Sequence, residues 1–175
     1  AEPPERLESV LELKRKRLDK ILPELNARYL GISDKDYYVK YYRGKAAVRT
    51  VYEKLLSELN KGDFYLVVTD QEKWLKMDPV YLKSYIPRRA QIDLETRVLR
   101  QSSPANRIQG DEETRFRQQV RFLPPNSLLN TNMVIVPHKL IVIQTIDPII
   151  VTVTENPSLI EMNKVLFEIA WNSAA

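Results

Sequence analysis

The chain has 175 residues, of which 43% are hydrophobic and 29% charged, and its 27 Lys and Arg against 23 Asp and Glu give a net charge of +4. This length suits one domain with a genuine core plus a short extension, and the composition is typical of a globular chain and excludes disordered and membrane-spanning classes. The absence of cysteine excludes disulfides and thiol catalysis, and one histidine leaves too few ligands for a structural zinc site.

The net charge and the N-terminal sequence narrow the class of protein further. An excess of four positive charges is too small to indicate nucleic-acid binding by itself. The opening "AEPPERLESV" lacks the basic, apolar, small-residue order of a secretion signal, so we expect a cytoplasmic protein that does not bind membranes. The four glycines form no phosphate-binding loop, and no metal or other cofactor is signalled.

The first predicted element is a helical arm. Its apolar residues recur at alternating steps of four and three, the spacing of a coiled-coil seam that also includes Lys14, and they are Leu7, Leu11, Leu18, Ile21 and Leu25. Pro23 predicts that the first helix stops or kinks near Leu22. This face either packs on its own domain or joins two copies, and we prefer a homodimer.

Strands and helices alternate in the next hundred residues. "YYVKYYRG" predicts a strand over 37–42 that ends before Gly44, and the next segment predicts a helix that stops at Lys61-Gly62. "DFYLVVTD" then predicts a buried strand. This order of strand, helix and strand suggests a parallel crossover. Two short helices divided at Pro79 then precede a third strand in "IDLETRVLR". A polar loop, a short helix over 111–118 and an edge strand in "VRFLP" follow.

The C-terminal part predicts an antiparallel meander and a final helix. Three strands over 132–136, 140–145 and 149–154 are joined by the short connections "PHK" and "IDP". The helix begins after Pro157 with Ser158 or Asn156 as its cap, and its apolar residues predicted to be buried are Leu159, Ile160, Val165, Leu166, Ile169 and Trp171. The predicted fold class is α/β, a mixed sheet of six or seven strands flanked by helices, with an N-terminal helical arm.

Few residues indicate chemistry. His138 lies between two apolar strands, a position typical of a surface turn. A catalytic role would require a partner residue close in space, which the sequence does not reveal. A basic set could meet an anion at a strand end, with Arg100 best placed, but solvent exposure is the preferred interpretation; its members are Arg88, Arg89, Arg97 and Arg100.

Several stretches resemble the effector domain of TrmB-like transcriptional regulators, over roughly residues 10 to 172. They are "ILPELNARY", "YYVKYYRGKAAVRTVYEKLL", "FYLVVTD", "IPRRAQIDLETRVL" and "TENPSLIEMNKVLFEIAW". The resemblance implies a phospholipase-D-like fold that senses a small effector, often a sugar, with a linker helix for dimerisation over 1–30 and the effector domain over 31–175. It also implies that DNA is bound only through a winged helix. This chain contains none, so we expect either a fragment of a regulator or a stand-alone effector-type protein, and the start without methionine favours the fragment.

The same resemblance places the phospholipase D motif His-x-Lys-x4-Asp on Asn130, Asn132 and Pro137, none of which can supply the motif's chemistry. Amides and hydroxyls in an emptied cleft suit neutral polyols because they both donate and accept hydrogen bonds. The predicted ligand-facing residues are Asn130, Asn132, Gln144 and Thr145, with Thr69, Asp70 and Arg100 from other strand ends. Alternatively, the asparagines only cap a strand and a turn.

The sequence therefore favours a non-catalytic effector-sensing and dimerisation domain of a TrmB-like regulator. The alternatives are a phospholipase-D-like phosphodiester hydrolase that uses His138, and a purely architectural dimerisation module.

Overall fold

The computed structural model of this chain describes residues 11–12, 14–19, 21–22, 38–102, 112–124 and 127–174. The chain divides into two units, Ala1–Tyr38 and Val39–Ala175. In the first unit, residues 11–12, 14–19 and 21–22 are helical, as the heptad spacing predicts, and Leu11, Leu18 and Ile21 are exposed. Leu7, Leu25 and the predicted break at Pro23 lie outside the described residues.

A seven-stranded mixed sheet forms the scaffold. Its strands are β1 (Tyr38–Arg43), β2 (Phe64–Thr69), β3 (Glu95–Arg100), β4 (Gln118–Phe122), β5 (Thr131–Val136), β6 (Lys139–Gln144) and β7 (Ile150–Glu155), in the spatial order β1-β7-β6-β5-β2-β3-β4. β2, β3 and β4 pair in parallel, whereas β2 with β5, β5 with β6 and β6 with β7 pair antiparallel. The predicted mixed sheet and its meander are confirmed. β1 and β2 are not neighbours, so the parallel crossover joins β2 to β3.

Among the described residues from Tyr38 onward, five helices connect or follow these strands. They are α1 (Lys45–Glu58), α2 (Gln71–Met77), α3 (Pro79–Ala90), α4 (Glu112–Arg115) and α5 (Pro157–Ser173). α4 is shorter than predicted because the chain enters β4 at Gln118. Among the described residues, no helix is long and apolar enough to span a membrane.

The helix starts follow local chemistry. Gly44 has φ +92°, a conformation that glycine adopts without strain, and its N–H donates to Ile149 O at 2.9 Å, which anchors the start of α1 beside the β7 segment. Asp70 caps α2 by accepting from the backbone N–H of Glu72 and Lys73. Asn156 caps α5 by accepting from Leu159 N–H at 3.1 Å, which decides between the two predicted caps.

The sheet separates two hydrophobic cores. On one face, α1, α2 and α3 bury the larger core, which includes Tyr52, Trp74 and Tyr85. On the other face, α5 packs its Ile160, Phe167 and Trp171 on Leu66, Leu99, Ile135 and Leu140.

The predicted burial of α5 is wrong in part. Only Ile160 and Trp171 of the six predicted residues are buried, and Phe167 joins them. Leu159, Val165, Leu166 and Ile169 are instead 38–61% exposed. A single helix lying on a sheet contacts it along one stripe, so a second apolar stripe on the same helix faces away from that sheet.

Candidate functional site

A narrow pocket lies between the sheet and helices α1 to α3. Its cavity volume is about 30 Å³, and its total empty space, open solvent included, is about 370 Å³. It reaches from the middle of β2 and β3 to their carboxyl ends, where Thr69 and Arg100 are the last strand residues. Ligands of open α/β sheets commonly bind near the carboxyl ends of parallel strands. No Asp or Glu is among the described residues that line the pocket.

One wall of the pocket is a row of polar side chains across three strands. Thr69 pairs with Arg100 in the parallel register of β2 and β3. The antiparallel register of β2 and β5 ends at Val68 opposite Met133, and its extension by one residue sets Asn132 beside Thr69. Asn132, Thr69 and Arg100 are 1–2% exposed and all line the pocket. The fold therefore brings together three of the seven predicted ligand-facing residues.

Aromatic hydroxyls hold the helical wall to the sheet. Tyr52 Oη of α1 accepts from Trp74 Nε1 at 2.9 Å and from Asn132 Nδ2 at 3.1 Å. The hydroxyls of Tyr65 and Tyr85 are hydrogen-bonded to each other at 2.9 Å. Burial raises the pKa of Tyr52 and of Tyr85 well above the ordinary value, so both hydroxyls stay neutral across the physiological range.

Two arginines from the predicted basic set line the same pocket. Arg89 is 5% exposed and Arg100 2% exposed, so the expectation of solvent exposure is wrong for both. Arg89 Nη2 donates to Gln118 Oε1 at 2.7 Å and to Phe116 O at 3.3 Å, and the guanidinium lies 5.3 Å from the centre of the Tyr65 ring.

Some polar atoms at this wall have no hydrogen-bond partner. Thr69 Oγ1 and Arg89 Nε are buried and unsatisfied. Buried polar atoms in proteins are nearly always hydrogen-bonded, because burial without a partner costs about 1–3 kcal/mol each. A group that fills the pocket could satisfy both atoms.

Three of the other predicted ligand-facing residues bond to protein atoms near the pocket instead of lining it. Asn130 Oδ1 accepts from Lys73 Nζ at 3.0 Å, and Asp70 caps α2 and lies 3.4 Å from the same amine. Gln144 Nε2 donates to the carbonyls of Ile146 and Pro148.

Thr145, the remaining predicted ligand-facing residue, also lies away from the pocket lining. It is 9% exposed, and its Oγ1 has no hydrogen-bond partner. It therefore shares with Thr69 a buried hydroxyl without a hydrogen-bond partner, but it does not line the pocket.

His138 lies at the other end of the sheet. It occupies the exposed turn between β5 and β6, as predicted, next to Pro137 and Lys139. Val136 is four positions after Asn132 in β5, a distance of about 13 Å at the usual rise of a strand, and His138 follows beyond. It therefore does not contribute to the pocket.

No family model matches the sequence, and no curated protein matches it either. The fold resembles two solved structures. TrmBL2, described as an archaeal chromatin protein with a novel mode of DNA binding, is 19% identical with a TM-score of 0.57, and the match covers 97% of this chain and 65% of TrmBL2. NucT from Helicobacter pylori is 10% identical with a TM-score of 0.57, and the match covers 79% of this chain and 98% of NucT.

Similarity at these identities establishes the fold alone. It supports the structural side of the resemblance to TrmB-like proteins, namely an α/β domain on a mixed sheet. This chain spans slightly less than two thirds of the length of TrmBL2.

Sequence reasoning missed the helical wall of the pocket. Leu82, Tyr85 and Arg89 recur at steps of three and four on α3, and all three are buried. That spacing was a signal that Arg89 lies on the buried face of its helix. Tyr52 and Trp74 had no comparable signal, because aromatic residues on an apolar helix face equally suit a core.

Proposed function

We propose that this chain is a non-catalytic effector-sensing and dimerising domain of a TrmB-like transcriptional regulator with a phospholipase-D-like fold. The effector is a small polar molecule such as a sugar, bound in the pocket beside Asn132, Thr69 and Arg100. Binding changes how the N-terminal arms of two copies pair. The fold similarity to TrmBL2 supports a role related to regulation.

The observation that carries the proposal is a pocket with unsatisfied polar atoms in its wall. Thr69 Oγ1 is buried without a partner, while Asn132 uses its amide nitrogen on Tyr52. Both groups can hydrogen-bond a polyol without imposing charge. Tyr52 and Tyr85 belong to α1 and α3, so a bound molecule would touch the sheet and two helices at once.

A matched pair of substitutions tests the location of the effector. Thr69→Val and Thr145→Val each remove a buried hydroxyl that has no partner, and each is expected to raise the free energy of unfolding of the ligand-free protein by about 1 kcal/mol. Only Thr69 lines the pocket, so only Thr69→Val should lower the rise in melting temperature caused by a stabilising ligand.

The measurement is a thermal-shift screen of the unsubstituted protein with mono- and disaccharides and their charged derivatives, repeated on both variants. A hit that survives Thr69→Val but fails with Thr145→Val would move the site to the end of β6. A purely architectural module would give no hit with any compound.

The hydrolase alternative predicts a different result. If His138 were a nucleophile, hydrolysis of bis-p-nitrophenyl phosphate would be measurable and would vanish in His138→Ala. We expect no turnover above background in either protein, because His138 is exposed at the far end of the sheet from the pocket. Histidine-dependent turnover would refute the proposal.

A further inference from the structure

Resting on the proposed function, we infer that the effector carries an anionic group, a carboxylate or a phosphate, that Arg89 binds inside the pocket. A neutral sugar alone would leave the charge of this arginine uncompensated. The inference deepens the proposed site by naming the chemical class of its ligand.

Arg89 is a buried cation whose described hydrogen-bond partners include no acid. Arg89 is 5% exposed, and its hydrogen bonds among the described residues go to one amide oxygen and one backbone carbonyl, both neutral. Arginine is almost never fully buried unless it is paired, since removing its charge from water costs several kcal/mol. Contact with the Tyr65 ring offsets only part of that cost.

Arg89 also retains a hydrogen-bond donor that the described protein atoms do not use. Its Nε is buried and makes no hydrogen bond, and the residue lines the pocket. Thr69 Oγ1, also buried and unsatisfied, lines the same pocket. A charged donor and a hydroxyl on one cavity suit an acceptor-rich group such as a carboxylate or phosphate.

The charges of the described residues around the pocket also bear on the class of ligand. The described lining includes the guanidinium of Arg89, whose described hydrogen bonds go to neutral groups, and no carboxylate. The nearby buried acid, Asp70, caps α2 and lies 3.4 Å from Lys73 Nζ. Burial keeps Tyr52 and Tyr85 neutral, so these hydroxyls add no negative charge. The pocket therefore favours anions.

Neighbouring arginines on α3 provide a matched control. Arg88 precedes Arg89 but has 42% of its side chain exposed and pairs with Glu53 at 2.6 Å. Arg89→Gln and Arg88→Gln remove the same charge from the same helix turn, one from the pocket and one from the surface. Nonspecific attraction of anions to the protein would respond equally to both substitutions.

The experiment measures binding to the full chain by calorimetry and by thermal shift, with inorganic phosphate, glucose 6-phosphate, gluconate and glucose as probes. Sodium chloride of equal ionic strength is the reference, because salt screens surface charges more than buried ones. We expect at least one anion to bind and glucose to bind much more weakly. Gluconate against glucose 6-phosphate distinguishes a carboxylate from a phosphate.

Arg89→Gln should weaken anion binding by about tenfold or more, the effect of a lost charge-assisted hydrogen bond, and Arg88→Gln should leave it unchanged. If Arg89→Gln does not fold, Thr69→Val takes its place, and unchanged anion affinity in that variant overturns the inference. Equal loss in both arginine variants also overturns it.

Two further results separate this inference from the proposed function. Glucose binding as tightly as the anions, in a manner sensitive to Thr69→Val, would overturn the anionic class and leave an effector-sensing pocket. Binding of no anion, together with a neutral hit in the saccharide screen, would overturn the anionic class alone, whereas no hit in either experiment would overturn both.

Discussion

At the scale of single residues, the pocket depends on one tyrosine hydroxyl. Tyr52 Oη accepts hydrogen bonds from Trp74 and Asn132, which belong to α2 and β5. It thereby connects α1 to another helix and to the sheet. The same three side chains line the pocket, so its shape and the stability of the larger core are coupled at this residue.

Tyr52→Phe should lower the free energy of unfolding by about 2 kcal/mol, because it leaves two buried N–H donors without an acceptor. Urea denaturation measures this loss, with the slope of the free energy of unfolding against urea concentration expected to be the same in both proteins. Tyr81→Phe is the control, because the exposed Tyr81 hydroxyl donates a long bond of 3.3 Å to Arg49 O and otherwise interacts with the exposed Glu53, so its loss should cost little. Equal effects would show that the Tyr52 hydrogen bonds are not stabilising.

At the scale of elements, ion pairs join helices and strands that are distant in sequence. Arg97 of β3 pairs with Glu168 of α5 through two contacts, one of them Nη1 to Oε2 at 2.8 Å. Its guanidinium also lies 5.5 Å from the ring centres of Phe167 and Trp171. Phe167, Glu168 and Trp171 belong to one of the stretches that resemble TrmB-like proteins, and here they fasten α5 to the sheet.

Arg97→Ala should therefore destabilise the protein by about 1–2 kcal/mol, through loss of a two-point ion pair and of cation–π contacts. Partial exposure of Glu168 limits the electrostatic share. Arg88→Ala, which removes an exposed pair with Glu53, should change stability by less than about 0.5 kcal/mol. Thermal and urea unfolding of both variants measure the difference, and similar losses would contradict a specific role for Arg97.

A second pair makes the stability of α3 dependent on pH. Asp78, the buried N-cap of α3, accepts from Arg49 Nε at 2.5 Å, and this hydrogen bond lowers the pKa of Asp78 below its ordinary 3.8. A carboxyl whose pKa is lower in the folded state stabilises the protein above its unfolded pKa, and this contribution is lost as pH falls below it. Arg97 and Lys61 likewise lower the pKa of Glu168 and Asp93.

We expect the free energy of unfolding to be steady from about pH 7 to 5 and to fall below about pH 4, as these carboxyls are protonated. Asp78→Asn should lower stability at pH 7 and make the decline below pH 4 shallower. Urea denaturation at a series of pH values tests both parts. A decline of the same steepness in Asp78→Asn would show that this carboxyl does not contribute.

At the scale of the whole molecule, two apolar surfaces are available for self-association. The helical arm exposes Leu11, Leu18 and Ile21, and α5 exposes an independent stripe that includes Leu166 and Ile169. The heptad spacing of the arm continues over Leu7 to Leu25 in the sequence, whereas the stripe on α5 is confined to one helix of 17 residues. A longer seam buries more apolar area.

We therefore predict that Leu18→Glu converts a dimer to a monomer, and that Leu166→Glu leaves the dimer intact. Both substitutions place one charge on an exposed apolar position, which matches them for solubility and charge. Light scattering after size-exclusion chromatography measures the mass directly. Dissociation by Leu166→Glu alone would assign the interface to α5.

Local patterns determined most of the elements. Alternating and helical spacings predicted the strands of the meander, both short helices around Pro79 and the final helix, because each of these is decided by neighbours a few residues apart. β4 was predicted as a short edge strand and lies at the edge of the sheet. The α4 boundary failed because polar residues at 112–118 suit a helix or a strand equally, and pairing with β3 selected the strand from Gln118.

Burial was less predictable than conformation. Val165, Leu166 and Ile169 are apolar and helical, yet exposed, because only one stripe of α5 meets the sheet. Arg89 and Arg100 are charged, yet buried, because they line a pocket. Hydrophobicity alone predicts the average location of a residue type, whereas the geometry of packing decides the individual case.

The amino-acid sequence by itself determined the fold class, an α/β domain with a mixed sheet, and the helical conformation of the described part of the arm. The placing of Asn130 and Asn132 on the phospholipase D motif stays a prediction. Only the tertiary structure decided which polar residues share a site. Thr69, Arg89, Arg100 and Asn132 come from three strands and a helix. Strand pairing and helix packing act between residues that are distant in the chain. The spacing of residues along the sequence therefore does not predict which of them line the same pocket.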